Sequence, residues 1–271
     1  MLRWRSLLAV AACCSLALFG AACGGDGDNA TASATPGTAT QSPGTPAATS
    51  PASNGGNTSE SPALEGPASR YSLLNPDDFG RGYITDIPNT FVLDAETYTK
   101  NNEAFESPEQ GKAKMESWGY LGGYSTAVDP EGRTAGILNG GIRILLEVHL
   151  FETADGAHEA YAYFRNHIDN AGKRAGNPGM ISQVDINPVG NEATAWNYIS
   201  GTIGNTNVQQ EFSLVLFRRG NLLANVVVLG AEPFLRPEAA YPYAKMIDEK
   251  ALGQRAAITP TPTSNQSQQS Q

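Results

Sequence analysis

The chain has 271 residues, 40% of them hydrophobic, with 27 acidic against 18 basic residues and a formal charge of −9. That balance excludes a nucleic-acid ligand, which needs clustered cations, and opposes adsorption of the chain on an anionic surface. The three cysteines are Cys13, Cys14 and Cys23, so everything after Cys23 is without disulfides, thiol nucleophiles or cysteine-ligated zinc.

Arg3 and Arg5 precede an apolar run from Leu7 to Phe19, which ends in Gly20-Ala21-Ala22-Cys23 and is followed by Gly24-Gly25-Asp26-Gly27-Asp28. The run is too short for a spanning helix, which needs about 20 apolar residues, and has the length of a signal-peptide core. Small residues before a cysteine resemble the lipobox of bacterial lipoproteins, with Gly20 where that pattern usually has Leu. The resemblance implies cleavage before Cys23 and a lipid on its new N-terminus. It also implies a membrane-anchored chain on the extracytoplasmic face. An ordinary secretory signal cleaved nearby is the alternative. Stable anchoring would need several acyl chains, because one binds only marginally.

Residues 1–22 are therefore expected to be a signal peptide and 23–69 a lipidated cysteine with a Ser/Thr/Pro/Gly-rich tether. Leu64 is the only large aliphatic in the tether, too little apolar surface to offset the entropy of ordering. As a coil it would span roughly 35–40 Å. Residues 70–256 read as one globular domain, and 257–271 as a second disordered, polar tail.

Within the domain, Asn75-Pro76-Asp77-Asp78-Phe79 reads as a capped turn, followed by an extended stretch from Tyr83 to Leu93. Ser107-Pro108 starts a helix that should stop before Gly119, with Ser as N-cap and Pro in the first turn. Tyr120 to Val128 reads as a strand, and a turn at Asp129-Pro130-Glu131-Gly132 leads to the next. There Ile142, Ile144, Leu146, Val148 and Leu150 alternate with Arg143, Glu147 and His149, the two-residue period of a strand. Thr153 caps a helix to about Ala171, with a stripe at Ala157, Tyr161, Phe164 and Ile168.

A strand from Ala193 to Gly201 precedes a hairpin of Phe212–Phe217 and Leu222–Leu229 around Gly220-Asn221. With Arg219 opposite Leu222, both faces of the hairpin are apolar, so it belongs mid-sheet with cover on each side. A last helix starts near Pro237 or Pro242 and runs to Lys250, with Tyr243, Met246 and Ile247 inward. Short connections favour antiparallel pairing, hence an α+β fold: a mainly antiparallel sheet with about three helices packed on it. Leu150-Phe151-Glu152-Thr153-Ala154-Asp155 and Phe217-Arg218-Arg219-Gly220-Asn221 resemble segments of exported lipoprotein domains of unassigned function.

Few residues suggest chemistry. Glu147 and His149 share one side of their strand, and with His158 they would supply zinc ligands. The spacing lacks the second helical histidine of metalloproteases, and solvated surface histidines are the plainer reading. Asp77-Asp78, or Glu106 with Glu109, would suit acid–base work on sugars, but they read as turn and helix caps. No strained Gly-x-Ser-x-Gly turn or phosphate-binding glycine loop occurs.

Trp118, Tyr120, Tyr124, Trp196 and Tyr198 lie near predicted strand ends, with Tyr120 and Tyr124 on one side and Trp196 and Tyr198 on another. They would line a groove for a glycan, peptide or lipid, or simply pack in the core. No cofactor is expected. The domain reads as a non-catalytic binding or interaction module for an envelope protein, peptide or glycan. A hydrolase using carboxylates or a histidine-ligated metal is the alternative.

Overall fold

The computed structural model describes residues 63–75, 78–100 and 102–256. Cys23, the rest of the signal and tether up to residue 62, Pro76 and Asp77 of the expected turn, and the 257–271 tail lie outside the described residues. The strands are β1 (Tyr83–Thr85), β2 (Phe91–Leu93), β3 (Tyr120–Pro130), β4 (Arg143–Phe151), β5 (Ile181–Val184), β6 (Glu192–Thr202), β7 (Gln209–Arg219) and β8 (Leu222–Ala231). They form one antiparallel sheet in the order β1-β3-β4-β8-β7-β6-β5, with β2 also on the outer edge of β3. The helices are α1 (Ala95–Thr99), α2 (Pro108–Ser117), α3 (Arg133–Leu138), α4 (Ala154–Asp169), α5 (Ala171–Arg174) and α6 (Tyr241–Ala251). The fold is α+β. Among the described residues, no helix is long and apolar enough to cross a membrane.

Strand alternation sends side chains into two layers. Ile144, Leu146, Val148 and Leu150 of β4 join Val215, Phe217, Ala224, Val226 and Val228 in the layer under α6, where Ala244 and Ile247 are fully buried. Leu214, Leu216, Leu223 and Val227 enter the opposite layer, with Met115 and Trp118 of the α2 end and Ala157, Tyr161, Phe164 and Ile168 of α4. The central hairpin pairs Arg219 with Leu222 and Phe217 with Ala224, the register set by the two-residue turn at Gly220-Asn221. α2 and α4 start where the caps place them: Ser107 Oγ accepts from Gln110 N–H, and Thr153 Oγ1 accepts from Gly156 N–H.

Three boundaries differ from expectation. Residues from Ala63, assigned to the tether by composition, already belong to the fold. Leu64 packs on the α6-side layer, and its N–H and C=O both bond the side chain of Asn221, at 2.7 and 3.1 Å. One leucine and one buried asparagine order a segment whose composition alone would not. The turn at Asp129–Gly132 leads into α3 rather than directly into a strand. The long helix breaks at Asn170, so Ala171 begins α5. The extended stretch expected from Tyr83 to Leu93 is two short strands, β1 and β2, separated by a 3-10 turn at Ile87–Asn89, while α1 and β5 are too short for periodicity to reveal.

Candidate functional site

The expected aromatic groove does not form. Trp196 is fully buried and Trp118 nearly so, both in the α4-side layer. Trp196 Nε1–H donates to Asp169 Oδ1 at 2.8 Å, and Tyr198 stacks on Phe212 at 4.5 Å between ring centres. Tyr120 and Tyr124 point to opposite faces. Tyr120 pairs with Phe151 but Gly122 with Leu150, two steps on β3 against one on β4. This bulge leaves Leu121 outside and flips side-chain parity, with Gly122 at a φ of 147° that favours glycine. Tyr120 then meets the α4-side layer, and Tyr124 the α6-side layer.

Glu147 and His149 are not solvated, contrary to the surface reading. Their face of β4 is roofed by helices, leaving them 5% and 1% exposed. Glu147 sits between Ser125 and Asn225 on the neighbouring strands, and His149 between Gly123 and Leu223. Tyr120 Oη donates to Leu93 C=O at 3.2 Å and meets His149 Nδ1 at 3.2 Å. If the Tyr120 proton stays on Leu93 C=O, Tyr120 accepts from Nδ1–H and Nε2 is the unprotonated nitrogen; if it turns to Nδ1, Nε2 carries the proton. Nε2 lies 3.7 Å from Glu147 Oε2, and neither atom has a hydrogen-bond partner.

Burial pushes the Glu147 carboxyl well above its usual range and the His149 imidazole down to about 3. His149 is therefore neutral near pH 7, and the Glu147 carboxyl holds its proton to higher pH than a solvated one, because desolvation disfavours the charged form of each. The pair could exchange a proton, but Tyr98, 4.6 Å away between ring centres, and Tyr120 cover His149.

His158 does not join them. It is exposed on α4 and bonds Glu192 at 2.8 Å through Nδ1, while Arg218 bonds the same carboxylate at 2.6 Å. Among the described residues no group of three histidines, cysteines or carboxylates is placed to hold a metal. Asp78 accepts from Arg255 at 2.6 Å, a structural ion pair, and Glu109 is an exposed residue of the α2 start.

Open concavities lie elsewhere. One of about 520 Å³ is bounded by the Ala63–Glu65 segment, Arg70, Tyr71 and the end of α6 with Lys250, Leu252 and Arg255. A second, of about 480 Å³, opens beside α4, where the chain leaves β5 after the Val184–Ala195 pair; Tyr161, Arg165, Gln183, Glu192 and Thr194 line it. Its polar groups are mutually satisfied: Tyr161 bonds Thr194 and Gln183 bonds Asp169. Neither Glu147 nor His149 lines these clefts. The residues of the first cleft come from opposite ends of the domain, and no spacing in the sequence joins them.

No protein-family model and no curated protein matches the chain. Among solved structures it is similar to the extracellular domain of PknH from Mycobacterium tuberculosis, at 12% identity and a TM-score of 0.40, covering 72% of this chain and 99% of that one.

Proposed function

We propose that the chain is a membrane-anchored extracytoplasmic lipoprotein whose α+β domain is a non-catalytic binding module. The anchor rests on the order of Arg3, Arg5, the apolar run and Cys23. The binding role rests on one structural observation: the buried acid–base pair, Glu147 and His149, is sealed in the core while open clefts lie at the surface. A hydrolase needs its acid and base within hydrogen-bond reach of a substrate, and a substrate has no approach to these two.

Membrane partitioning of the full chain tests the anchor. Wild type should sediment with membranes and Cys23→Ala should remain in the soluble fraction; a Cys23→Ala chain that still sediments refutes lipid anchoring. Envelope extract passed over immobilised full chain tests the binding role, with specific retention of a protein, peptide or glycan expected. Hydrolysis of an envelope substrate that disappears in Glu147→Gln would overturn the non-catalytic reading.

A further inference from the structure

Lys250 is a buried charge without an ion pair among the described residues. It is 4% exposed and lines the cleft between the Ala63–Tyr71 segment and the end of α6. Its ammonium donates to Ser72 C=O at 2.5 Å. Among the described residues no carboxylate lies within ion-pair distance of it, although Asp78 attracts it from further away. A buried ammonium is normally paired, because one carbonyl replaces little of the hydration it has lost. Burial accordingly pushes its pKa down.

The surroundings narrow what would complete Lys250. Arg70 stands on the cleft wall with no ion pair among the described residues, and Arg255 stands beside it. Arg255 is already engaged by Asp78 at 2.6 Å and by Glu249 at 3.6 Å. Glu65 is the one carboxylate in the lining. Among the described residues the charges of the lining without an ion pair are therefore Arg70, Lys250 and Glu65, two cations against one carboxylate, in a chain whose acidic residues outnumber basic ones 27 to 18. Burial of Lys250 reduces water's competition for its charge, so an arriving anion gains more there than at an exposed lysine.

We infer that this cleft binds an oxyanion, the carboxylate or phosphate group of a small ligand, between Lys250 Nζ and the Arg70 guanidinium. This rests on the binding-module reading and names the chemistry of its ligand. Inorganic phosphate and acetate are the probes, titrated into the full-length protein while backbone amide shifts are followed by NMR. Saturable shifts confined to residues 63–72 and 250–256 are expected. Arg70→Gln, an exposed change that leaves the core intact, should weaken binding about tenfold, and Lys250→Gln should abolish it. Arg236→Gln, exposed outside the cleft, should bind as wild type does.

Absence of saturable shifts for both anions, or equal binding by wild type and Arg70→Gln, overturns the oxyanion site. If that happens while the immobilised chain still retains an envelope component, the binding-module reading survives alone. The same group could arrive free or on a lipid headgroup. Sedimentation of Cys23→Ala with phosphatidylglycerol vesicles, lost in Arg70→Gln, would identify the headgroup. Phosphate-induced shifts without vesicle binding identify the free form.

Discussion

Glu147 and His149 together make an internal acid–base pair whose proton count controls how stability follows pH. Unfolded, the two titrate near 4.5 and 6.5. Folded, Glu147 keeps its proton well above its usual range and His149 stays neutral down to about 3. As pH rises above 4.5, unfolded Glu147 loses a proton that folded Glu147 still holds, so the Glu147 contribution falls with rising pH until it ionises in the fold. As pH falls below 6.5, unfolded His149 gains a proton that folded His149 accepts only near 3, so the His149 contribution falls with falling pH. Where the two windows overlap, the slopes cancel. Glu147→Gln should remove the alkaline limb. Its stability relative to wild type should grow by about 1.4 kcal/mol per pH unit as pH rises above 4.5, where Glu147 ionises in the unfolded chain, until Glu147 ionises in the fold. Denaturant melts from pH 5 to 8 check this, and a pH-independent difference would sink the neutral-pair account. Gly123 leaves room for the same network, since a Cβ there would lie 2.7 Å from both His149 Nδ1 and Tyr120 Oη. Gly123→Ala should cost roughly 1–3 kcal/mol by overpacking. The alternation of Glu147 and His149 on one side of β4 was legible in the sequence. Their burial was not, because a strand's period identifies two faces without saying what covers the polar one.

At the scale of elements, α4 shows how much a local pattern carries. Thr153 and the 157-161-164-168 stripe were readable, because cap chemistry and the 3.6-residue period act within a few residues, while the stop expected at about Ala171 falls at Asn170. Phe164 is 1% exposed and packs against Tyr98, Phe105, Trp118 and Tyr163. Phe164→Ala should cost about 3–5 kcal/mol, read as a shifted denaturation midpoint with the slope unchanged. Gly156 of α4 lies against the end of α2, where an added Cβ would meet Trp118 O at 1.9 Å. Gly156→Ala should therefore destabilise despite alanine's better helix propensity; a more stable variant would contradict this packing. The hairpin register was equally legible, since the two-residue turn at Gly220-Asn221 sets Arg219 opposite Leu222. The parity of Tyr120 and Tyr124 was not, because a one-residue bulge at Leu121 is invisible to alternation.

For the molecule as a whole, the two ends of the domain meet around Asn221 and the α6 end. Asn221 holds Leu64 by two hydrogen bonds and donates to Phe151 C=O at 2.7 Å. Arg219 clamps Asp248 of α6 through contacts of 2.6 and 2.7 Å, and Asp248 also accepts from Gly190 N–H. Asn221→Ala should release the Ala63–Tyr71 segment, making it a site of limited proteolysis while the sheet persists; an unchanged digestion pattern would contradict that role. Because this segment forms one wall of the cleft, the variant should also weaken any anion held by Lys250. The sequence by itself determined the α+β class, the three long helices, the central hairpin and its register. Each follows from short-range periodicity, caps and turns that few residues specify. Only the tertiary structure decided that the aromatic set is core, that the acid–base pair is sealed, and that Arg70 and Lys250 share a cleft. Those depend on which distant segments cover a face, and burial, not residue type, sets whether a polar group is solvated, paired or left to a ligand.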